Sequence, residues 1–137
     1  MAPDPDNLRF YVDESALGLG KALSHARRDT VHVGHPLLPE CPLGVLDPDW
    51  IPAVAARDLV VIGRDRRIRT RPQELRALRE AGLRVFWIAG KRDLSTWDWL
   101  VRLVRNWEAM EEIIDERGSG PWFFGVNERS VTEIPIP

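Results

Sequence analysis

Four short apolar runs divide this chain: LRFYV (8–12), TVHVG (30–34), LVVIG (59–63) and RVFWIA (84–89). Each is rich in β-branched and aromatic residues and bounded by polar ones, which is the pattern of a strand. A run without polar alternation, such as LVVIG, suits a strand covered on both faces. Between these runs the apolar residues recur at helical spacing. Ala16, Leu19, Leu23 and Ala26 mark a helix over 15–27, weakened near its start by Gly18 and Gly20. Asp47-Pro48-Asp49 opens a second helix, running to about residue 57, with Asp47 as N-cap, Pro48 at the first helical position and Asp49 in the first turn. Leu75 and Leu78 mark a third over 72–81, ended by Gly82. Ser95-x-x-Asp98 resembles a capping box and begins the longest helix, to about residue 116, with Leu100, Leu103, Trp107, Met110 and Ile114 on one face. Gly118-Ser119-Gly120-Pro121 stops it, and 122–126 and 131–134 read as a terminal hairpin or edge strand. The stretch 34–48 holds prolines 36, 39, 42 and 48 and must be a loop. Alternation of this kind predicts an α/β fold: three layers, α/β/α, with a mostly parallel central sheet and the last short strands at an edge. In such sheets ligands bind beyond the carboxyl ends of the strands, so the residues directly after each strand are the ones to inspect.

The chain has 137 residues, enough for one domain, expected over 8–137, with a frayed tail at 1–7. Its 44% hydrophobic and 29% charged residues support a packed core and argue against disorder. The net charge of −2 excludes nucleic-acid binding by bulk charge alone, though not by a local patch. Of the 19 basic residues only Lys21 and Lys91 are lysines, leaving 17 arginines, the side chain suited to bidentate recognition of phosphate or carboxylate. No apolar run is long enough to span a membrane, the amino terminus lacks the apolar stretch of a secretory signal, and Cys41 stands alone. Cytoplasm is the default expectation.

Acidic residues collect where strands are expected to end. Asp13 and Glu14 close the first strand, Asp65 follows the LVVIG strand after one residue, and Asp49 lies in the first turn of the helix leading into that strand. Neighbouring strands lie about 4.8 Å apart, so acids at their ends can converge. Carboxylates that close raise one another's pKa values unless a cation separates them. Magnesium accepts a few carboxylates together with water and phosphate oxygens. Each acid also has a plainer role open to it: Asp13 can cap the turn that follows, Asp49 can complement a helix dipole, and Asp65 can pair with nearby arginines. Glu74, three residues after Arg71, can be a simple first-turn acid.

The segments FYVDES, DPDW and LVVIGRDRRIRTRPQELRALREAGLRVFWI, with the closing GPWFFGVNERSVTEI, resemble the PIN-like nuclease domains. Within them the chain looks like the VapC-type toxins of toxin–antitoxin pairs, over 10–134. The resemblance implies a Mg²⁺- or Mn²⁺-dependent endoribonuclease, neutralised by a cognate antitoxin protein, leaving 5′-phosphate and 3′-hydroxyl ends on its RNA substrate. It maps the acidic site onto Asp13, Asp49 and Asp65. Two departures stand out. Gly63 occupies a position where many such domains carry Thr or Ser, and Arg66 and Arg67 stand where many carry a fourth acid. Glu14 or Glu74 can then take the fourth acid's place, or the site holds only one well-bound ion.

Arg64, Arg66, Arg67 and Arg69, with Arg71, cluster beside Asp65, where they can contact RNA phosphates or simply pair with acids in solvent. His32, His35 and Cys41 lack the fourth ligand and the spacing of a zinc site. No phosphate-binding glycine loop is present in the sequence. Trp97 and Trp99 cannot face the same way on one helix. Each can cover a different part of the sheet, the reading preferred here, or one can be exposed, where it would suit a homodimer or antitoxin contact. Two other functions stay open: a non-catalytic interaction module on the same fold, and a receiver-like phosphoacceptor built on Asp13, Asp65 and Lys91.

Overall fold

The computed structural model describes residues 3–64 and 71–136. Six strands form one sheet in the order β2-β1-β3-β4-β5-β6: β1 (Phe10–Val12), β2 (Thr30–His32), β3 (Val60–Arg64), β4 (Arg84–Ile88), β5 (Trp122–Val126) and β6 (Val131–Ile134). The first five run parallel; β6 returns antiparallel to β5 at the edge. The helices are α1 (Leu17–Ala26), α2 (Asp47–Ala56), α3 (Pro72–Glu80), α4 (Thr96–Arg105) and α5 (Trp107–Arg117), with a 3-10 turn at Glu14–Ala16 before α1.

Side chains alternate across the pleat and so build two cores. Tyr11, Val61, Val85, Trp87 and Phe123 pack with Trp50, Ile51 and Val54 of α2 and Leu75 and Leu78 of α3. Phe10, Val12, Ile62, Phe86, Trp122 and Phe124 pack on the opposite face with Leu19 and Leu23 of α1, Trp99 and Leu103 of α4 and Met110 of α5. The result is the three-layer α/β/α architecture read from the alternation. With both faces covered, a strand has no solvent side to make polar, which is why LVVIG lacks alternation. Gly20 lets α1 close on the sheet: a Cβ there would stand 2.7 Å from the Cβ of His32 and 3.0 Å from that of Val12.

The single long helix expected from residue 95 to 116 is two helices, broken at Asn106. This residue is buried, with φ −100° and ψ 4°, and its amide Nδ2 donates to the carbonyls of Arg102 at 2.8 Å and Asn127 at 2.9 Å. A buried amide that satisfies carbonyls of both α4 and the β5–β6 turn holds the chain at a bend while the apolar stripe continues across it. Near the amino terminus, Asp4 N donates to Arg28 O at 2.7 Å, tying residues expected to fray to the segment before β2. Among the described residues no helix is long and apolar enough to cross a membrane.

Candidate active-site cleft

β1 and β3 deliver their last residues side by side. Asp13 N donates to Ile62 O at 3.0 Å, extending the β1–β3 pairing one residue past Val12. The chain then turns sharply, and Asp13 caps that turn: its Oδ1 accepts from Ser15 N at 3.0 Å and from the Ser15 hydroxyl. Capping and exposure to a site are compatible here, because Asp13 also lines a cavity of about 260 Å³ at the carboxyl end of the parallel strands. Glu14, Asp47 and Glu74 line it too, together with Arg64 and Arg71. Tyr11, Trp50 and Trp87 form its apolar floor and Val45 part of one wall. Burial, with Cys41, Asp13 and Glu14 nearby, pushes the Tyr11 phenol further above its ordinary alkaline range, so the floor is uncharged at neutral pH.

Gly63 explains how the Asp13 carboxylate fits. A Cβ at position 63 would stand 2.8 Å from Asp13 Oδ2 and 3.0 Å from Oδ1. The carboxylate therefore lies against the β3 backbone, in space that any side chain would fill.

The second acid in the cleft is Asp47, and it is held by an aromatic relay. Tyr11 of β1 stacks on Trp50 of α2, with centroids 5.6 Å apart and planes at 27°, and the Trp50 indole Nε1 donates to Asp47 Oδ1 at 2.8 Å. Asp49, the acid expected from the sequence, is exposed on α2 and is not among the lining residues. Residues two apart on a helix point about 200° apart around its axis, so Asp47 and Asp49 cannot serve the same cleft. A sequence signal for Asp47 existed. A buried tryptophan needs an acceptor for its indole N–H, and Asp47 stands three residues before Trp50, on the same helix face. The N-cap itself is Leu46, with Asp47 and Pro48 already inside the first turn.

Glu74 enters from the first turn of α3, its side chain 19% exposed and 3.6 Å from Arg71. Burial, and next the charge of Asp47, raise its carboxyl above the usual range despite Arg71. Glu14 is exposed, and its Oε1 accepts from Gly44 N at 2.6 Å, which ties the proline-rich loop to the rim. Arg64 lays its guanidinium over the Trp99 ring at 4.5 Å and donates to Arg92 O at 3.0 Å. Asp65, Arg66, Arg67 and Arg69 lie outside the described residues.

The donors facing this cleft are carboxylate oxygens, which suit hard cations such as Mg²⁺ or Mn²⁺ rather than zinc. Among the described residues, no three His, Cys, Asp or Glu side chains come close enough to share one ion. An ion held by one or two carboxylates and completed by water is the arrangement Mg²⁺ tolerates best.

The sequence model of a family described as "PIN like domain" matches residues 8–90, more than half of the 137 residues. No curated protein and no solved structure matches the chain.

Proposed function

Because the chain belongs to the PIN-like domain family, we propose that it is a metal-dependent endoribonuclease that works at the cleft lined by Asp13, Asp47 and Glu74. The observation that carries this reading is the gathering of carboxylates from β1, α2 and α3 around one cavity beyond the strand ends, with Arg64 and Arg71 beside them. In this proposal one or two of Asp13, Asp47 and Glu74 hold Mg²⁺ or Mn²⁺ directly, and water completes the ion's shell towards the others. Asp65 joins them on sequence grounds alone, as the residue directly after β3. The bound ion would supply an ionised water and neutralise charge building on a phosphodiester.

The side chains divide the remaining work. Asp13 is fixed in orientation by Ser15 and by its seat on Gly63, so it presents its charge without reorganising. Asp47 is oriented by Trp50. Glu74 sits where its neighbours already disfavour its charge, so a cation is attracted to relieve it. Arg64 and Arg71 place RNA phosphates, Arg64 with its plane held on Trp99. We extend the reading to a toxin whose activity a cognate antitoxin protein restrains, with the 69% exposed Trp97 on α4 available as an anchor for that protein or for a second copy of the chain.

The test is cleavage of a mixed RNA pool by the purified protein with Mn²⁺, with EDTA, and with Asp13→Asn. Cleavage that needs the ion and falls at least a hundredfold in the variant, at an unchanged melting temperature, is the expected result. Absence of cleavage in the wild type with either ion, or full activity in Asp13→Asn, overturns the proposal. Growth arrest on induced expression, lost in the same variant, is the expected result for the toxin role.

A further inference from the structure

The Ser15 hydroxyl joins two pieces of chain that sequence keeps 49 residues apart. Its oxygen accepts from the backbone N–H of Arg64, the last residue of β3, at 3.0 Å. Its single proton goes to Asp13 Oδ1, which also accepts from Ser15 N at 3.0 Å. The direction is forced. The Arg64 amide can only donate, so the hydroxyl must accept there and spend its proton on the carboxylate. The same pair of bonds sets the rotation of the group and engages Oδ1 rather than Oδ2. Position 63 of β3 brings no side chain to that carboxylate, since it has no room for even a methyl group beside it.

We propose that Ser15 is a positioning residue: its hydroxyl locks the Asp13 carboxylate in one orientation to the backbone end of β3, and thereby sets how strongly the cleft binds a divalent cation. This rests on the functional reading above and adds to it a residue that acts through Asp13. Outer-shell groups of this kind are worth about tenfold or more in metal affinity.

The experiment is calorimetric titration of the intact chain with Mn²⁺, alongside melting temperature and RNA cleavage, for the wild type, Ser15→Ala, Ser15→Cys and Ser15→Thr. Ser15→Ala is expected to weaken Mn²⁺ binding about tenfold, with cleavage falling in step. Ser15→Thr, which keeps the hydroxyl, is expected to recover most of both. Should the alanine variant fold poorly, the cysteine variant, near in size with a weak donor, carries the same comparison. Mn²⁺ affinity within twofold of wild type in whichever loss variant is folded overturns the inference while leaving the nuclease reading intact. A wild type that binds no Mn²⁺ overturns both.

Discussion

The two ends of the parallel strands treat their charges in opposite ways. At the amino end, carboxylates meet guanidinium groups. Glu111 takes both Nη atoms of Arg9 at 3.0 and 2.8 Å, Asp29 takes Arg27 at 2.9 and 2.8 Å, and Asp58 meets Arg84 at 3.2 Å. The hydrogen bonds from Arg9 hold Glu111 below its ordinary pKa. For Asp29, burial alone would raise the value, but Arg27, Thr30 and Arg9 outweigh it and hold it low. At the carboxyl end, Asp13, Glu14, Asp47 and Glu74 face one cleft, and Glu74 is pushed up by burial and by Asp47. One end is closed by short internal ion pairs; at the other, acids from β1, α2 and α3 face one cleft, and Glu74 meets Arg71 only at 3.6 Å. The difference teaches that acid count says little about a site: what matters is how the fold surrounds each carboxylate.

Substitutions sharpen this contrast. The largest effect is expected from Gly63→Ala, which drives a methyl group into the Asp13 carboxylate. We expect a stability loss of about 1–3 kcal/mol from overpacking, read by urea unfolding, and loss of Mn²⁺ binding by calorimetry. Next, Arg9→Ala strips Glu111 of its bidentate partner at the amino end. Since both groups keep some solvent, the loss should be about 1 kcal/mol, with RNA cleavage unchanged. The smallest effect has the opposite sign: Glu74→Gln removes a disfavoured charge, so the metal-free protein should melt higher while its Mn²⁺ affinity falls.

The pH dependence separates the two ends as well. Glu111 and Asp29 have lowered folded pKa values, so the folded state binds fewer protons than the unfolded one. Their contribution is present above roughly pH 4, the unfolded value, and is lost as pH falls through the folded values. The stability curves of wild type and Arg9→Ala should therefore converge in acid. Glu74 runs the other way: its raised folded pKa makes its charge cost stability as pH rises above roughly 4.3. The gap between Glu74→Gln and wild type should open from there towards neutral pH. Curves that stay parallel in both comparisons would remove the contrast between the ends.

Much of the fold was legible because its signals are local. β5 and β6 occur at the expected residues, and α2, β3, α3 and β4 within one or two positions. Trp97 and Trp99 face apart as their spacing requires, but only Trp99 is buried; Trp97 is exposed rather than covering another part of the sheet. The break at Asn106 was hidden because its cause is a tertiary contact with Asn127, while the apolar spacing runs on unbroken. The site was harder to read for the same reason. Asp13 could be placed at a strand end, but its role depends on Ser15 and Gly63, and Gly63 looks in sequence only like a residue that is missing a hydroxyl. The sequence points to Asp49 as the site acid and to Asp47 only as a cap, but the stacking of Trp50 on Tyr11 sets the rotation of α2 that turns Asp47 to the cleft.

The family match ends at residue 90, but the sheet does not. β4 is bonded along its whole length to β5, from Arg84 with Trp122 to Ile88 with Val126. Trp122, Phe123 and Phe124 supply aromatic mass to both cores. A fragment cut after residue 90 would bare a full row of β4 amides and carbonyls, an adhesive edge for other chains, and would leave Phe86 and Trp87 without the rings they pack against. The segment that reveals the ancestry of this chain is therefore shorter than the segment that can fold.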